Sequence, residues 1–121
     1  MTWPRSVRCA RRWTICVRGD VYRLKAPRTA TGGEQRGERL CVVVQSDDLP
    51  LSTWLVAPTS TSARPATFRP AIDIGGRETL VLVEQATAVN PQRLGELVGH
   101  LSRAALDDVN AALRTVLDLH R

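Results

Sequence analysis

Leu40-Cys41-Val42-Val43-Val44-Gln45-Ser46-Asp47-Asp48 is the stretch whose reading decides the fold. Its first five residues are all apolar and three of them are β-branched. Such a run, with no polar face of its own, reads as a central strand covered on both sides. Ser46-Asp47-Asp48 and then Pro50 break it, since short polar side chains favour turns and proline has no N–H to give a ladder.

Working downstream, residues 53–57 predict a further strand that ends at Pro58, and residues 60–64 a polar turn. Residues 67–74 fit an edge strand, which alone tolerates Pro70. Gly75-Gly76 then turns the chain into residues 79–84, another buried strand, and residues 97–101 add a short one. Upstream, residues 19–25 alternate well enough for a first strand, with Val21 and Arg23 on one face and Tyr22 and Leu24 on the other. Between that strand and Leu40 lies a long connection rich in Gly and charge, from Ala26 to Gly37, either a functional loop or disordered. About five or six short strands at these spacings predict an antiparallel barrel. The end of the chain differs. Ser102 is a candidate N-cap, Asp107 and Asp108 lie near the start, and Arg114 further toward the end, as the helix dipole favours. Leu106, Val109, Leu113, Val116 and Leu117 recur at helical spacing and predict one apolar face laid over the barrel.

With 121 residues and 43% hydrophobic composition, the chain suffices for one compact domain without a disulfide or metal staple. No apolar run approaches the ~18 residues of a membrane helix, so a soluble protein is expected. The formal charge of +5 is concentrated: residues 1–18 hold Arg5, Arg8, Arg11, Arg12 and Arg18 and no acid, leaving twelve cations against twelve anions elsewhere. Any nucleic-acid site on the body must therefore be a local arrangement of arginines. Residues 1–17 are read as a basic extension, disordered or lying upstream of the natural start, and residues 18–121 as the domain. Mass spectrometry of the native N-terminus decides whether residues 1–16 are present. Arg11-Arg12-Trp13 resembles a twin-arginine signal, but only Thr14-Ile15-Cys16-Val17 follow before Arg18, too few for an apolar core. Cys9, Cys16 and Cys41 show no paired spacing, and His100 and His120 are far from them. This pattern predicts neither a zinc site nor a disulfide framework, and fits a reducing cytoplasm.

Several fragments, taken in order, resemble the MazF/PemK toxins. Arg18-Gly19-Asp20-Val21-Tyr22 is similar to their opening strand, and Gly33-Glu34-Gln35-Arg36-Gly37-Glu38-Arg39 running into residues 40–47 to their loop-strand core. Residues 55–60 resemble the strand closing on Pro, a variable residue and Thr or Ser. Residues 79–85 and 93–102 resemble the later strand, connection and helix start, so the similarity spans roughly residues 18–119. The resemblance implies a mainly β fold, an SH3-like barrel of CcdB/MazF type with a C-terminal α-helix. It also implies a homodimer that cleaves single-stranded RNA without cofactor or metal, and a MazE-like antitoxin whose acidic segment blocks the RNA groove. By position, Arg39 matches the catalytic arginine, Ser60 the catalytic Thr or Ser, Glu34 and Gln35 the Glu-Gln pair of the substrate-facing loop, and Gln85 the Gln closing the later strand. Gln35, Arg36, Thr59, Arg64 and Gln85 are the candidates for holding RNA. The chain departs from the pattern at Gly33, where Ser is common, at Leu40 in place of Pro, and at Ser60 in place of Thr.

The residue chemistry agrees with these assignments. RNA brings its own nucleophile, the 2′-OH, so the protein must orient it, accept its proton and stabilise charge on the phosphoryl oxygens. A guanidinium is planar, permanently charged and bidentate toward phosphate, which suits Arg39 to electrostatic stabilisation. Ser60 offers a hydrogen bond to the same phosphate, and Glu34 is the candidate base. Each has an ordinary reading too: Arg39 beside Glu38 as a solvated pair, Ser60 as a turn residue, Glu34 as a loop carboxylate. Tyr22, Trp54 and Phe68 read as core residues and not stacking platforms. The rivals are a gyrase inhibitor of the CcdB kind and an inactive copy that still binds antitoxin. CcdB-like chains end in Trp-Gly-Ile, whereas this one ends Asp118-Leu119-His120-Arg121 with no Trp after Trp54.

Overall fold

The computed structural model of the chain describes residues 16–25 and 39–119. The long loop with Glu34, Gln35 and Arg36, the tail through residue 15, and His120 lie outside the described residues. Among the described residues seven strands form, β1 (Asp20–Leu24), β2 (Arg39–Val43), β3 (Trp54–Ser60), β4 (Ala71–Ile74), β5 (Arg77–Val81), β6 (Thr87–Val89) and β7 (Leu94–His100), followed by the helix α1 (Arg103–Leu117). All pair antiparallel in the order β4-β5-β3-β2-β1-β7, with β6 on the first half of β3. The result is a half-barrel with one C-terminal helix. No helix among the described residues is long and apolar enough to cross a membrane.

Residues 40–44 behave as their composition predicts. Val42 and Val44 join Val21, Val81 and Val109 in one core cluster, while Cys41 and Val43 join Tyr22, Trp54 and Val56 in a second on the opposite face. Cys41, Val42 and Val43 are fully buried, and each valine contributes about 1.5–3 kcal/mol by leaving water. Burial pushes the Cys41 thiol up to about 11, so it is an inert small hydrophobe and not a reactive group. In β1, Val21 and Tyr22 face opposite clusters as alternation demands, and Leu24 packs with Tyr22. Tyr22 and Trp54 meet edge to face at 5.8 Å; both are buried, which makes them core. Cys16 and Val17 are buried as well, so the packed body already includes the last two residues of the expected extension.

Several boundaries move. β3 does not end at Pro58 but runs through it to Ser60. Pro58 stands where β3 changes neighbour, from β6 at Trp54–Val56 to β5 at Thr59 and Ser60. Its missing N–H falls between the two ladders, while its carbonyl accepts from Leu82 N at 2.9 Å. β4 begins only at Ala71, after Pro70. The strand expected at residues 79–84 instead spans Arg77–Val81 and gives way to a tight 3-10 turn, Val83–Gln85. An unbroken apolar run such as residues 80–83 carries no period that distinguishes the two. β6 was not foreseen, and β7 starts three residues earlier than expected, at Leu94.

Ser102 caps α1, its Oγ accepting from Ala105 N at 3.1 Å. The buried stripe is centred on Val109 and Ala112, with Ala105, Leu106 and Leu113 beside it. Val116 and Leu117, assigned to the covering face by spacing, are 37% and 58% exposed. The last turn of the helix is therefore largely exposed, and Asp118 ends it in the left-handed conformation at φ 60°.

Candidate active site

The β2/β3 register decides which side chains meet. Cys41 pairs with Pro58, Val42 with Ala57 and Val43 with Val56. Beyond the last of these pairs, β2 begins at Arg39 and β3 ends at Ser60. The two residues matched by the family pattern thus stand at adjoining ends of paired strands, although 21 positions apart in sequence.

Both are held by local hydrogen bonds. Thr59 Oγ1 donates to the carbonyl of Leu40 at 3.0 Å, tying the start of β2 to the end of β3 beside Arg39. Thr59 is buried, 9% exposed, so its hydroxyl works within the sheet. Ser60 Oγ accepts from Ser62 N at 3.1 Å and Ala63 N at 2.9 Å. A hydroxyl has two acceptor sites and one proton. With both acceptor sites engaged by the turn, the Ser60 proton remains to donate, and the turn fixes the oxygen from which it does so.

Arg39, Ser60 and Thr59 line a hollow of about 730 Å³ with Gln85, Thr61, Ser62, Thr79 and Arg77, over apolar flanks from Leu40, Ile74 and Leu82. None of these lining residues is acidic. Two guanidiniums and several hydroxyls converge there, a donor-rich and cationic surface suited to phosphate. Gln85 reaches it from the end of the Val83–Gln85 turn, its N donating to Leu82 O at 3.0 Å. Of the expected residues, the structure brings together Arg39, Ser60, Thr59 and Gln85. Arg64 is exposed and outside the lining; its carbonyl accepts from Arg69 Nη1 at 2.9 Å. Glu34, Gln35 and Arg36 lie outside the described residues.

Arg77 and Thr79 were missed. Arg77 opens β5 directly after Gly75 and Gly76, whose φ of 62° and 82° are left-handed values that glycine adopts freely. That hairpin folds the β5 start back toward Ser60, which pairs with Leu80. The glycine pair signals the turn, but nothing local in sequence tells which side chain faces the hollow. His100 is not near it in the lining: its Nδ1 lies 2.7 Å from the buried carboxylate of Asp20, where β7 meets β1. A second hollow, of about 750 Å³, is bordered by Tyr22, Lys25, Trp54 and Gln92. Among its described lining residues the one cation is engaged, Lys25 Nζ donating to Gln92 O at 3.1 Å.

Residues 17–117 match a family model described as a PemK-like, MazF-like toxin of type II toxin-antitoxin system. Rv3098A of Mycobacterium tuberculosis, a protein proposed to be a toxin, is 38% identical over 106 residues, covering 87% of this chain and all of that one. Endoribonuclease EndoA of Bacillus subtilis is 30% identical over 113 residues, covering 87% and 97%. Among solved structures, a mycobacterial endoribonuclease in complex with its cognate antitoxin superposes with a TM-score of 0.72 at 19% identity, covering 88% of this chain and 98% of that one.

Proposed function

The chain belongs to the PemK-like, MazF-like toxins of type II toxin–antitoxin systems, and from that premise we propose that it is a sequence-specific endoribonuclease that cuts single-stranded RNA without metal or ribosome. The observation that carries this reading is the convergence of Arg39 and Ser60 on one hollow whose described lining holds two arginines and no acid.

The reaction uses the substrate's own nucleophile. The 2′-OH attacks the adjacent phosphorus, its proton passes to a base, and the P–O5′ bond breaks. The products are a 2′,3′-cyclic phosphate and a 5′-hydroxyl, the leaving oxygen taking up a proton. Arg39 stabilises the charge that builds on the non-bridging oxygens, where a preorganised donor is worth about 10²–10³-fold in rate. Ser60 donates a hydrogen bond from its hydroxyl to the same phosphate. Thr59 keeps Arg39 in register, Arg77 and Gln85 hold the flanking strand, and Glu34 of the substrate-facing loop is the candidate base. Arg36 and Gln35 of that loop and Arg64 are further candidates for RNA contact.

The partners proposed are single-stranded RNA, a second copy of the chain and a MazE-like antitoxin. An acidic, disordered antitoxin segment suits the same cationic hollow and would fold on binding. The test is incubation of the purified protein with mixed-sequence RNA in excess EDTA, followed by mapping of the fragment ends. Discrete cuts ending in cyclic phosphate are expected. Cuts that appear only when a divalent metal is restored refute the metal-independent scheme, and an absence of cuts from folded protein turns the reading to a gyrase-type inhibitor or an inactive copy.

A further inference from the structure

The loop between β3 and β4 forms one lip of the hollow through Thr61 and Ser62 and is tied at both ends. At its start, Ser60 Oγ accepts from the amides of Ser62 and Ala63. At its far end, Arg69 Nε and Nη2 both donate to Glu84 Oε2, at 2.9 and 2.7 Å, while Nη1 donates to Arg64 O at 2.9 Å. The guanidinium also lies 5.6 Å from the Phe68 ring centroid. Glu84 immediately precedes Gln85, which lines the same hollow. One ion pair thus joins the Ser60 loop to the Val83–Gln85 turn. The two side chains are 22% and 23% exposed, shielded enough for the contact to outweigh an ordinary surface pair. Glu84 Oε1 is buried with no hydrogen-bond partner. A buried acceptor left unsatisfied is costly, so the carboxylate is held there by what its other oxygen makes with Arg69.

We propose that the Arg69–Glu84 ion pair is a positioning device for the hollow: it holds the two walls at a set separation and keeps the Ser60 hydroxyl aimed into it, and through that sets how fast and where RNA is cut. This rests on the reading of the hollow as an RNA-cleaving site. The geometry requires a guanidinium, since only a fixed fork can serve one carboxylate oxygen with two donors and the Arg64 carbonyl with a third; a lysine ammonium cannot span them. Neither side chain lines the hollow, so their action on RNA passes through Ser60 and Gln85.

Arg69→Lys and Glu84→Gln, both close in size to the native residues, test this by two measurements on the full chain. Backbone amide exchange at Ser62 and Ala63 should quicken by about 10-fold or more, with β2 and α1 amides unchanged. Cleavage of a mixed-sequence RNA should slow in kcat and lose preference for its cut site, with the thermal midpoint within a few degrees of wild type. Unchanged exchange in both variants overturns the device, and so does quickened exchange with unaltered rate and cut-site preference. A wild-type protein that cuts no RNA refutes the proposed function instead, and the exchange measurement then decides the device alone. Should Arg69→Lys fail to fold, Glu84→Gln carries the same two readouts.

Discussion

Ser60 shows how much a single side chain can be committed by its surroundings. Its oxygen accepts two amides of the following turn, so replacing it affects both the turn and the proposed chemistry. Ser60→Ala is expected to lower the RNA cleavage rate by about 10–10²-fold and stability by roughly 0.5–1.5 kcal/mol; Ser60→Thr, which keeps the hydroxyl, should restore both in cleavage assays and denaturant melts. Arg77 also lines the hollow. Arg77→Ala should raise KM with little loss of kcat, and reduce the slope of log affinity against log salt by about 0.7, the single-strand value for one phosphate contact. An unchanged slope would remove Arg77 from the RNA path. Arg39 and Ser60 were legible in the sequence because their neighbours form a recognisable order of fragments, whereas Arg77 was not. Its position depends on a hairpin between Gly75 and Gly76 folding β5 across to Ser60, a contact between distant residues that no local pattern encodes.

At the level of elements, the apolar patterns specified what lies inside more reliably than where an element stops. Residues 40–44 and the alternation in β1 were read correctly on both faces, because a covered strand leaves an unbroken apolar run. Pro58 misled, since a proline ends a strand only where its missing N–H would be needed, and here the ladder changes partner at that point. Ser102 marks the helix start in the sequence, but spacing counts Val116 and Leu117 equally with Val109, and only their burial in the folded chain distinguishes them. That distinction is measurable. Val109→Ala should destabilise by about 2 kcal/mol, combining lost transfer energy with a cavity, while Leu117→Ala should stay within about 0.5 kcal/mol in urea titrations of the two variants. Equal losses would mean that the last turn of α1 is packed after all.

For the molecule as a whole, charge is distributed so that the body is neutral and its cationic character is local. Outside residues 1–18, cations and anions balance at twelve each, and the two arginines of the hollow are its focus. RNA binding by the body should therefore weaken with salt only gently, with a slope near −1.4 for two contacts to a single strand. Deleting residues 1–15 and finding the slope unchanged would show that the basic tail adds no phosphate contacts. Antitoxin binding should weaken with salt as well, because the proposed acidic segment meets the same guanidiniums. Arg39, which shares the hollow with Ser60, is the group proposed to stabilise the transition state of RNA cleavage. The most direct measurement is the single-turnover cleavage rate of Arg39→Ala at saturating protein in excess EDTA, beside wild type. The rate should fall by about 10²-fold or more with RNA affinity reduced only modestly; a variant that cuts at the wild-type rate would contradict that role and move the catalytic centre elsewhere on the molecule.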